Sequence, residues 1–200
     1  MEEMAQGIWV LAAILAASVV ALAVFAERLV ALRRSRVLPK TLAIQVHDLV
    51  AEGRFPDAIT ACRTQGGPLA RIYQVALEHR EKDRALVKEH LEEAGRQEAG
   101  SLMELLPVIG TVGVIAPLMG LLGTVWGMID VFKAIQEFGV GNAEVLAGGI
   151  STALYTTLGG LLVAIPAVVG HRYLLARVDR TVLALEAEAL RLLDRLESQG

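Results

Sequence analysis

The 200-residue chain has a single cysteine, few aromatic residues (4%) and long stretches without any ionisable side chain. One cysteine, Cys62, excludes an intrachain disulfide, and neither a CxxC nor a cluster with metal-ligand spacing is present. A small packing role is expected of it. A net charge of −3 leaves no basic surface for nucleic acid. His47, His79, His90 and His171 are scattered, and no nucleophile–base pair or phosphate-binding glycine loop accompanies them. No enzyme activity, metal or cofactor is therefore expected.

What is present is apolar: 54% of the residues are hydrophobic and the mean hydropathy is +0.51. This material is segregated. Residues 8–26, 105–129 and 145–170 contain no Asp, Glu, Lys, Arg or His, and all 41 charged residues lie elsewhere. Each run reaches the roughly 20 residues a helix needs to cross the hydrocarbon of a bilayer. An all-α membrane protein with three transmembrane helices is the direct reading. The first run follows Met1-Glu2-Glu3 and precedes Arg28, Arg33, Arg34, Arg36 and Lys40. That order is wrong for a signal peptide, so a retained anchor is expected.

Lys and Arg accumulate on the cytoplasmic side of membranes. The basic flank after the first run, and Arg172, Arg177 and Arg180 after the third, predict an N-terminus outside and a C-terminus inside. The expected organisation is an outside segment with the first span (1–32), a helical cytoplasmic domain (33–104) and a second span (105–129). A periplasmic loop (130–144), a third span (145–170) and a cytoplasmic amphipathic helix (171–200) follow. The cytoplasmic segment carries 12 basic and 11 acidic residues, with breaks at Gly53, Pro56, Gly66, Gly67 and Pro68. The second and third spans are expected to continue into it. In the tail, Leu174, Val178, Val182, Leu185, Ala189, Leu192 and Leu196 recur every three or four residues. Such a stripe needs a partner helix, either from this chain's cytoplasmic domain or from a neighbouring subunit.

The first span, Ala-, Val- and Leu-rich, reads as lipid-facing. The other two carry small residues at helical spacing: Gly110, Gly113, Pro117, Gly120, Thr124 and Gly127 in the second, Gly149, Ala153, Thr157, Gly160, Ala164 and Ala167 in the third. Thr152, Thr156 and Gly159 lie beside the latter. Such stripes let backbones approach closely in lipid. They can be plain packing, with each threonine bonded to its own helix's carbonyl. They can also be a pore or an interface that faces another helix. Trp9 is placed as an interfacial anchor, and packing is preferred for Trp126. Proton relays through membranes generally use buried carboxylates or histidines, and these spans have none. A titrating group would have to come from another polypeptide.

The run APLMGLLGTVWGMI at 116–129 resembles the second-span signature of the ExbB/TolQ/MotA proton-channel family. GISTAL at 149–154, Thr156, Thr157 and GLLVAIPA at 160–167 resemble its third-span signature. Three spans make the chain more similar to ExbB or TolQ than to MotA, which has four. The resemblance implies a ring-forming subunit, a pentamer, of a proton-motive-force-driven motor in the bacterial inner membrane. It implies a single-span ExbD- or TolR-like partner whose Asp carries the proton, and a TonB- or TolA-like protein that transmits the work to the outer membrane. Matching the family's motifs, Thr124 and Thr157 line the proton path, with Thr152 and Thr156 beside them. Gly113, Pro117, Gly120, Gly127, Gly149, Ala153, Gly160 and Ala164 are expected to contact the partner helix. The chain departs from the family at Thr152, a position where ExbB and TolQ often have Glu. That weakens the subtype more than the channel assignment. A TolQ-like subunit and a non-conducting membrane scaffold are the alternatives.

Overall fold

The computed structural model describes residues 2–139 and 143–197. Among these the structure is helical, with no strand. The helices are α1 (Glu2–Ala31), α2 (Arg34–Val37), α3 (Lys40–Ala51), α4 (Phe55–Gln65), α5 (Pro68–Glu78), α6 (Arg84–Met103), α7 (Leu106–Phe138) and α8 (Ala143–Glu197). Three contain stretches long and apolar enough to cross a membrane: Trp9–Ala31, Leu106–Glu137 and Leu146–Leu196. The chain divides into two compact units, residues 1–27 with 105–173, and residues 28–104 with 174–200.

The first unit is the membrane part. In α1, Ile14 and Ala21 are buried, while Leu15, Val19 and Leu22 remain exposed, as suits a helix with lipid on one side. α8 bears glycines where α1 comes close. A methyl group added at Gly159 would lie 3.3 Å from Leu11, and one at Gly170 would lie 3.0 Å from the Phe25 ring. α7 and α8 pack along their small-residue faces. Both helices overrun the charge-free runs. α7 continues past Asp130 and Lys133, an i,i+3 pair 3.7 Å apart, and stops only at Gly139, which takes φ 70°. α8 begins at Ala143, so residues 130–138 and 143–144 of the expected loop are helical, and residues 140–142 lie outside the described residues. Nothing between 171 and 197 breaks α8: that stretch has neither glycine nor proline.

The second unit has a core of ordinary side chains. α3 contributes Leu42, Val46 and Val50, α4 contributes Ala58 and Cys62, and α5 contributes Leu69, Ile72, Tyr73 and Leu77. The 3.6-residue period puts these apolar residues on one face of each helix. Gly66 (φ 64°) and Gly67 (φ 91°) make the turn into α5, where Pro68 opens the helix without losing a needed N–H. Asp83 caps α6 by accepting from the Ala85 N–H at 3.1 Å. The tail stripe is covered by this same unit. Leu174, Val178, Leu185, Ala189 and Leu192 are buried. Around them Arg177 donates to the Leu32 carbonyl, the Tyr73 hydroxyl donates to Glu188, and Arg84 donates to Asp194. Of the two partners the stripe could have, the chain's own helices in this unit are the ones in contact with it.

Cys62 is 1% exposed, and burial pushes its thiol up to about 11. It is a core side chain, far from the thiolate a nucleophile needs.

Candidate functional site: the α7–α8 seam

The seam is built where α7 and α8 lack side chains. A methyl group at Gly160 would sit 2.5 Å from the Ala116 carbonyl oxygen, and one at Gly120 would sit 2.9 Å from that of Thr156. One at Gly127 would meet the Ala153 Cβ at 2.9 Å, one at Gly113 a Val168 methyl at 2.7 Å, and one at Gly149 a Val131 methyl at 2.5 Å. Side-chain removal thus brings backbone onto backbone, as lipid-embedded helices require when packing supplies the association energy.

The helix these small residues meet is the chain's own. Gly113, Gly120, Gly160, Ala153 and Ala164 are buried, and Gly127 and Gly149 are half-buried, without a second chain present. Pro117 lies just off the seam and is half-buried. Lacking an N–H, it leaves the Gly113 carbonyl without its i+4 donor. Two seam residues were not in the sequence-based stripe. Ala116 meets Gly160, and Gly123 packs against the Thr156 side chain. The run Gly120-x-x-Gly123-x-x-x-Gly127 carries this signal. The stripe traced through Pro117 and Thr124 runs one residue beside it.

The four threonines divide into two pairs. Thr156 is fully buried; its hydroxyl donates to the Ala153 carbonyl at 2.7 Å and lies 3.4 Å from the Gly120 oxygen. Thr157, half-buried, donates across the seam to the same Gly120 oxygen at 3.0 Å. Thr124 and Thr152 instead bond their own helices, donating to Leu121 (2.7 Å) and Gly148 (3.0 Å). Thr124 is half-buried and Thr152 exposed. Each hydroxyl uses its one proton on a carbonyl and keeps its lone pairs as acceptors.

No Asp, Glu, Lys, Arg or His lies on either helix between 105 and 129 or between 145 and 170. Beyond these limits stand Asp130, paired with Lys133, and His171, whose ring covers Gly110. The hydroxyls can accept a hydrogen bond from water or from an acid, but none titrates at ordinary pH. The described residues also hold no cluster of three or more His, Cys, Asp or Glu for a metal ion. Trp126 and Tyr155 are exposed on the unit's surface, as is Trp9.

Residues 65–187 match the model of the MotA/TolQ/ExbB proton channel family. The chain belongs to this family. The proton channel family match covers α5 through most of α8, including the whole seam. Among its relatives is the biopolymer transport protein exbB1 of Vibrio cholerae, 48% identical over 82 residues, which are 40% of this chain and 36% of that protein. The biopolymer transport protein ExbB of Aquifex aeolicus is 40% identical over 86 residues, 43% of this chain and 58% of that one. The Tol-Pal system protein TolQ of Haemophilus influenzae is 38% identical over 86 residues, 43% of this chain and 38% of that one. The matched stretch therefore spans less than two thirds of these relatives' own lengths.

Proposed function

We propose that the chain is the ring-forming subunit of an ExbB-type motor in the bacterial inner membrane, driven by the proton-motive force. Its N-terminus is periplasmic and its C-terminus cytoplasmic. The observation that carries this reading is a family seam lined with hydroxyls and empty of ionisable groups. A proton crossing beside it needs an acid from another chain, and a single-span ExbD-like protein with an Asp in its helix supplies that chemistry. The copies form a pentameric ring around that helix, and a TonB-like protein carries the work outward.

In this mechanism Thr124 and Thr157, neither fully buried, accept hydrogen bonds from water or from the partner's protonated Asp as it passes. Thr152 stands where relatives often have Glu, and it hydrates the path without holding a proton. Thr156 acts from within the seam, keeping the Gly120 carbonyl in place for Thr157. The seam glycines hold α7 and α8 as one stiff wall, and the residues beside them, Pro117 among them, face the partner.

The 38% identity to a TolQ protein supports a second reading of the same machine, a TolQ-like subunit serving envelope integrity with TolR- and TolA-like partners. A scaffold that conducts nothing is the third, since packing accounts for every seam glycine. Proton flux into vesicles holding the chain and its partner separates conduction from scaffolding. The variant Thr124→Val with Thr157→Val keeps shape and removes both hydroxyls. Flux is expected to fall at least about tenfold, the loss of one or two weak hydrogen bonds at the barrier, with the ring still assembled. Unchanged flux in that variant rejects the pathway.

A further inference from the structure

Beside the seam, α7 and α8 enclose an open cavity of about 720 Å³, lined by Pro107, Thr111 and Val114 of α7 and by Val168, His171 and Arg172 of α8. It lies on the face that carries Thr124 and Thr157. Counting back from Thr124, residues 121, 117 and 114 follow at steps of three or four; counting on from Thr157, residues 161, 165, 168 and 172 do the same. The 3.6-residue period puts each series on one side of its helix. Val114, Leu121, Leu161, Ile165 and Val168 are all exposed there. The face is therefore an open apolar track that runs from the threonines and ends in the cavity at Arg172.

Arg172 is exposed, and His171 is half-buried with its ring over Gly110. Neither makes a hydrogen bond or ion pair among the described residues. No acid lines the cavity, and none stands on α7 from 105 to 129 or on α8 from 145 to 178. Cations just past a charge-free span are what inner flanks carry. A second span laid along this track would bring its own inner flank against them. If that flank were basic as well, like charges would meet at the edge of the hydrocarbon. A carboxylate there would instead meet the guanidinium fork, which suits it. We propose that this cavity docks the inner flank of the single-span partner, and that the flank presents an Asp or Glu to Arg172. The proposal rests on the reading that the partner lies along Thr124 and Thr157, and this shared face favours it over a lipid headgroup. Thr157 and Arg172 are fifteen residues apart on α8, about 22 Å of helix. With the partner's proton-carrying Asp level with Thr157, its docking carboxylate lies about 7 residues inward if the chain is extended and about 15 if it is helical. The pair sets the partner's depth and so holds its Asp level with the hydroxyls.

The test co-expresses the full-length chain with its single-span partner and places a photo-crosslinking amino acid singly at Val114 or Leu121, both exposed. Adducts are mapped by mass spectrometry. Those from Leu121 are expected on the partner's span and those from Val114 on its inner flank. Arg172→Gln is expected to lower the Val114 yield about threefold, the loss of a partly exposed charge pair, and Arg172→Glu about tenfold, since it adds repulsion. Replacing the flank carboxylate by Lys should restore the yield in Arg172→Glu and lower it in the unsubstituted chain. Partner adducts at Leu121 with none at Val114, or a flank without a carboxylate in the stated window, overturn the docking and leave the partner's place beside the threonines intact. Partner adducts at neither position overturn both. A Val114 yield that Arg172→Glu does not change overturns the role of the charge. Val114 adducts on a membrane phospholipid or on a second copy of the chain give the cavity to that occupant and overturn the proposal too.

Discussion

The membrane unit and the second unit hold together by opposite means. In the first, α7 and α8 associate by omission, since Gly113, Gly120, Gly127 and Gly160 lack the atoms that would keep the backbones apart. In the second, helices are joined by what they carry: Tyr73, Leu42 and Ile72 fill a core, and ion pairs such as Arg71–Glu98 bridge α5 and α6. The difference follows from the solvent. Water rewards burial of large apolar side chains. Lipid is as apolar as the helices, so only close contact and hydrogen bonds favour association there. Tolerance to mutation should differ accordingly, with the smallest changes costing most in the membrane unit.

The sharpest test is one substitution at two glycines of the same helix. Gly160→Ala drives a methyl group against the Ala116 backbone, which has no flexible end to move aside. Gly148 has no atom within 4 Å of the new methyl. Gly160→Ala is expected to cost about 2–3 kcal/mol, as overpacking does. Gly148→Ala is expected to be neutral or to stabilise by up to about 1 kcal/mol through helix propensity. Thermal unfolding of the two variants in detergent checks this. Equal effects would mean that the seam does not govern stability of the membrane unit.

The counterpart in the second unit is Arg71. Glu98 is 6% exposed, and it accepts from both Arg71 Nε and Arg71 Nη2, the latter at 2.6 Å. The Arg71 side chain is itself about half exposed, so the ion pair contributes less than a fully buried one. Its removal still leaves a buried carboxylate without donors. Arg71→Met is expected to cost about 1–3 kcal/mol, measured by chemical denaturation followed on the helices of the second unit. Most of that loss should return in Arg71→Met with Glu98→Leu, which removes the orphaned charge. A double variant as unstable as the single one would show that shape, and not the unpaired charge, is what Arg71 supplies.

Much of both units is legible in the sequence, but unevenly. The three spans are visible because charge is absent from them, and the tail stripe because Leu174, Val178, Leu185 and Leu192 keep a helical period. The partner of each stripe is not visible. A small-residue face is equally suited to its own neighbouring helix and to another chain's, and only the structure shows α7 meeting α8. Periodicity also left two contacts out: the stripe runs through Pro117 and Thr124, and Ala116 and Gly123 beside them meet α8 as well. The helices run on past the charge-free spans, because charged residues such as Asp130 and Lys133 mark the end of hydrocarbon, whereas a helix ends only where its backbone must turn, at Gly139. The pairing of Thr156 and Thr157 on one carbonyl is a matter of rotamers that no spacing rule contains.

The smallest expected effect sits where the tail meets the core of the second unit. His47 Nε2 lies 3.5 Å from the Tyr73 hydroxyl, which donates to Glu188 at 3.3 Å, and Glu188 also accepts from Arg191. The His47 Nδ1 is buried without a hydrogen-bond partner. Burial, together with Arg195 and Arg191, holds the His47 imidazole below its usual value, and Glu188 and Asp48 only partly oppose this. The sign follows from linkage. Between the lowered native value and the ordinary value near 6.5, the unfolded chain binds the proton and the native chain does not, so stability rises with pH. The contribution is fully present above about pH 6.5 and is lost as pH falls from there through the lowered native value. Acidification should therefore loosen α8 from α3 and α5 near Glu188, before the paired carboxylates protonate. His47→Gln is expected to flatten the pH dependence of the second unit's stability below pH 6.5, by about 1 kcal/mol or less. Hydrogen exchange of residues 185–195, compared at pH 7 and just below 6, reads the loosening directly. An unchanged difference in the Gln variant would move the titrating group elsewhere and leave Glu188 held by Tyr73 and Arg191 alone.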